Sequence, residues 1–389
     1  MLVGLIPSII GRLTNLEYLD LSYNQINGSI PPEMEMLKNL TLFKPSENQI
    51  NGSIPPEIGM LKNLTSLSLY SNVLVGPIPF IWDGLTYLKY LDFSVNYLTG
   101  SIPYHEGNLY WVEYLNLSHN FISREIPVAL GSALVSRLSS LDLSYNNLTG
   151  HIPPYLIYIK NLVNLDLSGN DLHGRMPIEI GILKNLTNLD LYWNMLIGPI
   201  SSTIGRLTNL EYLSLGENQI NGSIPPKWDN LTYLKYLYLS VNYLTGSIPY
   251  HEGNLYQVEY LNLSHNFIRG EIPVALGSVL VSCLWSLDLS YNNLTGHISP
   301  SLIHIKEIDL SHNFLKGRIP DGFNQHHKSH TVIGNRGLCN QFKIFPPCPK
   351  SKKSIATKIE IIVPITTFIG ILVIGSILFF RCVFKGKQF

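Results

Sequence analysis

Apolar and polar positions alternate along this chain in a fixed rhythm, cleanest in Leu138–Pro154, LSSLDLSYNNLTGHIPP. Leu138, Leu141 and Leu143 set an apolar frame, Asn146 closes it, and Gly150, Ile152 and Pro153 mark the return. The closing asparagine recurs as Asn24, Asn48, Asn72, Asn96, Asn120, Asn146, Asn170, Asn194, Asn218, Asn242, Asn266, Asn292 and Asn313. That makes thirteen units, with nine spacings of 24 residues, two of 26 and a last one of 21. A period of this length decides the fold before any shorter motif is weighed. The L-x-L alternation predicts a short strand with one face buried. One unit cannot cover that face alone, so neighbours stack and their strands lie parallel. Each framing asparagine is expected to point inward, where backbone groups of adjacent units can partner its amide.

The pattern L-x-x-L-x-L-x-x-N-x-L-x-G-x-I-P, running from Val3 to Pro320, resembles the leucine-rich repeat in the variant typical of plant extracellular proteins. The resemblance implies an α/β solenoid: a plant-type superhelix with a parallel β-sheet on its concave face, followed by one transmembrane helix. The expected organisation is a repeat array over 1–320, a cap over 321–349 and a basic linker over 350–360. A membrane helix over 361–380 and a short tail over 381–389 complete it.

Several positions break the rhythm. Pro45 replaces the third framing leucine in LTLFKPSEN, and a residue without an N–H is expected to distort that strand. Glu106 and Glu252 fall where other units place isoleucine, so each is expected to swing into solvent with its HEG turn, the alternative being a half-buried carboxyl with a raised pKa. Ser94–Ser132 and Ser240–Ser278 match almost residue for residue at an offset of 146, which points to tandem duplication of six units.

The two ends differ from the array. Met1–Leu16 reads as the second half of a repeat; no basic segment precedes its apolar residues, and Pro7 interrupts them, which argues against a signal peptide. The family's paired-cysteine cap does not precede the first unit, so that edge is expected to be uncovered. After Asn313 the period stops, and GNRGLC and PPC resemble the C-terminal cap of plant leucine-rich-repeat receptors. That resemblance implies a disulfide between Cys339 and Cys348 and an oxidising compartment. A metal site from these cysteines with His326, His327 and His330 fits no common zinc spacing. Cys283 and Cys382 are left over, Cys283 as a small apolar residue in the array and Cys382 as a palmitoylation candidate.

Ile361–Phe380 holds twenty uncharged residues, long enough to span a bilayer as a helix. Lysines before it and basic residues after it nearly balance, so charge does not set its orientation. Sequons at Asn27, Asn39, Asn51, Asn63, Asn116, Asn147, Asn185, Asn221, Asn230, Asn262 and Asn293 favour a single-pass plasma-membrane protein with extracellular repeats. The repeat is itself rich in such triplets, and a tail-anchored protein with cytosolic repeats is the rival topology.

Composition narrows the functions. Charged residues make up 14% of the 389, and 27 basic side chains balance 27 acidic ones. Nucleic acid needs a basic face, which this chain lacks. No kinase glycine-rich loop, V-A-I-K-type strand lysine, H-R-D or D-F-G sequence occurs, and no nucleophile elbow. The chain therefore reads as non-catalytic, with no cofactor: a truncated or kinase-less receptor-like kinase whose signalling requires a co-receptor kinase.

Binding then falls to the variable strand positions. The third position of the frame reads Tyr18, Leu42, Ser66, Tyr90, Tyr114, Ser140, Asn164, Asn188, Tyr212, Tyr236, Tyr260, Ser286 and Glu307. Tyr212, Tyr236 and Tyr260 form a column, with Tyr238 beside them, Tyr192 and Trp193 before them, and Glu217 and His265 at the edge. Aromatic residues dominate interface energetics, so these eight are the expected contact patch for a peptide or protein ligand. The paired strand arginines with which several peptide-hormone receptors hold a ligand carboxylate are absent; the strands offer only Lys44, Lys89, Lys235 and Lys306. A decoy-like binding module that signals nothing and a non-functional fragment are the alternatives.

Overall fold

The computed structural model describes residues 1–80, 84–103, 111–131, 137–226, 228, 230–249, 257–277, 283–340 and 345–348. Each L-x-L segment forms a three-residue strand. They are β1 (Tyr18–Asp20), β2 (Leu42–Lys44), β3 (Ser66–Ser68), β4 (Tyr90–Asp92), β5 (Tyr114–Asn116), β6 (Ser140–Asp142), β7 (Asn164–Asp166), β8 (Asn188–Asp190) and β9 (Tyr212–Ser214) in a first compact unit, Met1–Ile220. The second unit, Asn221–Phe389, holds β10 (Tyr236–Tyr238), β11 (Tyr260–Asn262), β12 (Ser286–Asp288) and β13 (Glu307–Asp309). Within each unit successive strands pair in parallel and in register, for example Tyr114↔Ser140, Ser140↔Asn164 and Asn164↔Asn188.

Every strand begins at the third position of the frame. The central leucine points into the core, as Leu141, Leu165 and Leu189 do at 0% exposure. The framing asparagines behave as expected. Asn170 Nδ2 donates to Leu143 O (3.0 Å) in the preceding repeat and to Leu167 O and Ser168 O in its own, and its Oδ1 accepts from Leu148 N (3.0 Å). One side chain thus bonds four backbone groups and supplies the partner that the buried Leu148 N–H requires.

The residue before each framing asparagine holds the left-handed conformation in all thirteen repeats, with φ between 50° and 61°. Only one of these residues is glycine. Tyr145 lies across that Gly169, and a Cβ there would meet its ring at 2.9 Å.

Pro45 does not break its strand. β2 keeps three pairings with β1 and two with β3. The bond that a residue-45 N–H would donate to Ser68 O is replaced by Ser46 Oγ, which reaches Ser68 O at 3.2 Å and Ser68 Oγ at 2.7 Å.

The expected class requires correction. No α-helical layer backs the sheet: among the described residues the return leg forms 3-10 turns of four or five residues, such as Pro32–Met36, Pro154–Tyr158 and Pro300–His304. Proline fits the first helical position, and so short a leg leaves no length for a stable α-helix. Stacked turns pack closely; a Cβ on Gly277 would come within 2.6 Å of Leu302 N. Short parallel strands such as Ser123–Glu125 with Asn147–Thr149 complete the outer side. The described residues form a parallel-strand solenoid with 3-10 turns, and no helix among them is long and apolar enough to cross a membrane. The segment 361–380, to which the sequence assigns a transmembrane helix, lies outside the described residues, as do Glu106, Glu252 and Cys382.

At the start of the array Leu5, Ile9, Leu13 and Tyr18 stand exposed. At the other end the cap continues the repeat logic without its sequence signature. Asn335 Nδ2 donates to Leu310 O (2.9 Å), its Oδ1 accepts from Leu315 N (3.0 Å), and Lys316–Arg318 pairs with Gly337–Cys339. Among the described residues of the cap, the α-helix α1 (Phe323–His326) buries Phe323. Cys339 and Cys348 are bridged. On a loop-entropy argument a bridge closing so short a loop contributes about 2–3 kcal/mol. Cys283 is also disulfide-bonded, which corrects its reading as an unpaired apolar filler.

Candidate functional site

The exposed side of the strands presents three columns within each unit. The first is the third-position column. In β4 and β5, Tyr90 and Tyr114 stack face to face at 4.5 Å with rings 4° from parallel. In β10 and β11, Tyr236 and Tyr260 stack at 4.9 Å and 15°. Register makes this possible, because in-register parallel strands hold equivalent side chains one strand spacing apart.

The second column is acidic. In the first unit Asp142, Asp166 and Asp190 pair in register on β6, β7 and β8. Each carboxylate accepts the N–H two residues on: Ser144 N at 3.0 Å, Ser168 N at 2.9 Å and Tyr192 N at 2.9 Å. These are Asx turns that end the strands, so the aspartates are there first for backbone reasons. Stacking them has an electrostatic consequence. Burial pushes Asp166 up to about 6 despite two bonds from Ser168, and Asp142 and Asp190 add to the shift. Asp190 is raised as well, again chiefly by burial, against bonds from Tyr192, Ser214 and Tyr212.

The third column is the left-handed turn position. His119 stacks on Tyr145 at 4.5 Å, and Trp193 meets Tyr145 edge-on at 6.2 Å. In the second unit Tyr291 lies between His265 (4.3 Å) and His312 (4.1 Å).

The expected patch residues fall on both units. In the first, Tyr192 donates to Glu217 Oε1 at 2.8 Å, and its hydroxyl is pushed up to about 12 by burial and then by Glu217. Tyr212 donates to Asp190 Oδ2 at 3.1 Å, which ties it to the acidic column. Trp193 is 55% exposed at its turn. In the second unit Tyr236 touches both Tyr260 and Tyr238 (6.5 Å), Tyr260 leans on Trp285 (5.4 Å), and burial raises the Tyr238 hydroxyl. His265 stands at the turn edge, against Tyr291 and away from the strand tyrosines' column. The tyrosines are half-buried against their neighbours rather than freely exposed.

Two features were not singled out in the sequence. One is the acidic ladder, since an aspartate before a turn reads as punctuation. The other is a concave cavity of about 330 Å3 in the first unit, lined by Tyr23, Lys44, Glu47, Tyr70, Tyr90, Asp92 and Tyr114, among others. Its signal was present: Tyr90 and Tyr114 are the first copy of the duplicated Tyr236 and Tyr260. Among the described residues no cluster of His, Cys, Asp and Glu is arranged to hold a metal.

A family sequence model described as Leucine Rich Repeat matches nine stretches: 15–37, 111–133, 137–158, 161–183, 209–231, 233–255, 257–279, 283–305 and 304–326. No curated protein sequence matches the chain. The structure is similar to that of the plant peptide hormone receptor RGFR1 in complex with RGF2, at 35% identity and a TM-score of 0.78, over 83% of this chain and 52% of that one. It is similar to the Arabidopsis receptor kinase HAESA in complex with the peptide hormone IDA and the co-receptor SERK1, at 32% identity and a TM-score of 0.68, over 90% of this chain and 66% of that one. A leucine-rich-repeat protein of Leptospira interrogans, LIC12759, aligns at 32% identity and a TM-score of 0.66, over 81% of this chain and 77% of that one. The chain spans about half the length of the RGFR1 chain it matches.

Proposed function

The chain belongs to the leucine-rich-repeat family, and from that premise we propose that it is a ligand-binding receptor ectodomain that takes a peptide on its concave strands. The observation that carries this reading is the in-register aromatic column on the open side of the strands. A rigid ladder presents Tyr90 with Tyr114 in one unit and Tyr236 with Tyr260 in the other. Rings held this way give a ligand large contact area with little ordering entropy left to lose. RGFR1 and HAESA are complexes with peptide hormones, which supports the same ligand class here. The co-receptor in the HAESA complex supports a co-receptor as partner here. In this reading the array over 1–320 binds and the cap over 321–349 closes its end. Within the first unit we assign Tyr192, Trp193, Tyr212 and Glu217 to ligand contact; within the second, Tyr236, Tyr238, Tyr260 and His265.

The test is retention of peptides from a degenerate nonapeptide pool by the immobilised full chain. The wild type is expected to retain a selected subset. Tyr236→Ala with Tyr260→Ala should lower retention of that subset about tenfold, the loss expected for two interface aromatics. Unchanged retention, with the thermal midpoint preserved, would remove the second unit from the site.

Placement of the repeats outside the cell has its own check. Asn27, Asn39, Asn51, Asn63, Asn147, Asn185, Asn221, Asn230 and Asn293 are exposed. Asn116 and Asn262 are half-buried on the strands, their Oδ1 atoms accepting from Ser118 N and Ser264 N. Chain expressed in plant cells should shift down a gel after enzymatic removal of N-glycans, and peptide mapping should find Asn116 and Asn262 unmodified. No shift would contradict the extracellular placement.

A further inference from the structure

The duplication left two copies of one concave constellation, and the copies have diverged at a single strand residue beside the tyrosine pair. Tyr90, Tyr114 and Asn116 recur as Tyr236, Tyr260 and Asn262, whereas Asp92 is replaced by Tyr238. In the first copy the constellation forms one wall of the 330 Å3 cavity. That volume lies at the lower end of the ligand-pocket range, room for one large side chain and its flanking backbone.

The charges around this cavity do not cancel. Its lining carries Lys44, Glu47 and Asp92. Lys44 is paired in register with Asp20 on β1, and its charge helps to hold the Asp20 carboxyl below the ordinary range, after the two bonds from Ser22. Asp92 is 7% exposed and accepts three neutral donors: Ser94 N (3.0 Å), Ser94 Oγ (2.5 Å) and Tyr90 Oη (3.1 Å). Among the described residues no cation lies within ion-pair distance of it. A buried carboxylate held by neutral donors beside two stacked rings is a seat for a positive charge. The rings offer their negative faces and the carboxylate offers a charge-assisted hydrogen bond.

We propose that this cavity seats a basic side chain of the peptide, arginine or lysine, with its cation against Asp92 and the Tyr90–Tyr114 rings. The inference rests on the peptide-binding reading above and adds a chemical class to it. The second copy, with Tyr238 in place of the aspartate and Trp285 against Tyr260, has lost the charge and kept the rings. It is built for a neutral, apolar part of a ligand.

The nonapeptide pool tests this directly. Peptides retained by the full wild-type chain are expected to be enriched in Arg or Lys at one position. Asp92→Asn keeps the shape and the acceptor for Ser94 and should lower that enrichment about tenfold, the loss expected for a charge-assisted contact. A ligand-side measurement removes any dependence on the folding of the variant. Replacing the enriched arginine of one retained peptide by citrulline, which has the same shape without the charge, should weaken binding to the wild type about tenfold. Retained peptides with no basic position, an enrichment that survives Asp92→Asn, or equal binding of the citrulline peptide would each overturn the proposal and leave the peptide-binding reading standing. Retention of no peptide at all would overturn both.

Discussion

Replacing Asn170 by alanine is expected to lower the stability of the first unit by about 2 kcal/mol. The side chain is 7% exposed and makes four bonds, three as donor and one as acceptor. Alanine leaves Leu148 N–H buried without its partner, at about 1–3 kcal/mol for an unsatisfied group, while Leu143 C=O loses one of two amide donors and keeps Asn146 Nδ2. The loss should be local at first, because repeats contact only their neighbours. Chemical denaturation gives the total, and amide exchange at Leu148 should rise before that at distant strands. Asn24→Ala is the comparison. Asn24 is half-buried, and its Oδ1 partner Leu2 N lies at the exposed edge, so water can replace what is lost. Its cost should stay below about 1 kcal/mol. Equal losses at the two positions would mean that the asparagine ladder is not what holds the turns together.

Asp166→Asn is expected to have the opposite sign. The folded state holds the Asp166 proton up to about pH 6, chiefly because of burial, while the unfolded chain releases it in the ordinary carboxylate range. Below about pH 4 the group is neutral in both states and costs nothing. As pH rises towards 6 the unfolded chain ionises first, so the folded state loses relative stability through that window; above it the loss is constant. A displacement of that size corresponds to about 2–3 kcal/mol. Asparagine removes the charge and keeps the acceptor for Ser168 N and Oγ. The variant should be about 2 kcal/mol more stable at pH 7 and no more stable at pH 3.5. Asp190 shifts in the same direction and makes the wild-type slope steeper. A gain that does not depend on pH, or no gain at pH 7, would refute the account. Because the Asx turn needs only an acceptor, three stacked carboxylates exceed what the backbone asks for at Asp142, Asp166 and Asp190.

Much of this is legible in the sequence. Strand starts at Tyr90, Ser140 and Asn188 fall where the frame puts them, and the amides of Asn96 and Asn170 find partners in the preceding repeat. A side chain with two donors and one carbonyl, repeated every 24 residues beside a buried frame, has few other places to go. The exceptions have identifiable causes. The α/β expectation fails because it carries the family's general shape over to a proline-led return leg that admits only a 3-10 turn. Pro45 is expected to distort β2, but Ser46, the next residue, supplies the missing donor through its side chain. Asn335 carries no such signal, because the apolar frame that flags the other asparagines is absent around it. Of the two tyrosine pairs only the later stands out along the chain, although the duplication makes them equals.

The sequence by itself determined the period, the direction of each side chain along a strand and the identity of the framing residue, since these depend only on local alternation and repeat length. The tertiary structure alone decided which of those side chains become one another's environment. Asp166 is an ordinary turn residue until register places Asp142 and Asp190 on either side of it. Asp92 becomes a buried, unneutralised charge only when Tyr90, Tyr114 and the strands beside them close a cavity around it. Both effects are electrostatic and act across strands, so no pattern read along the chain contains them.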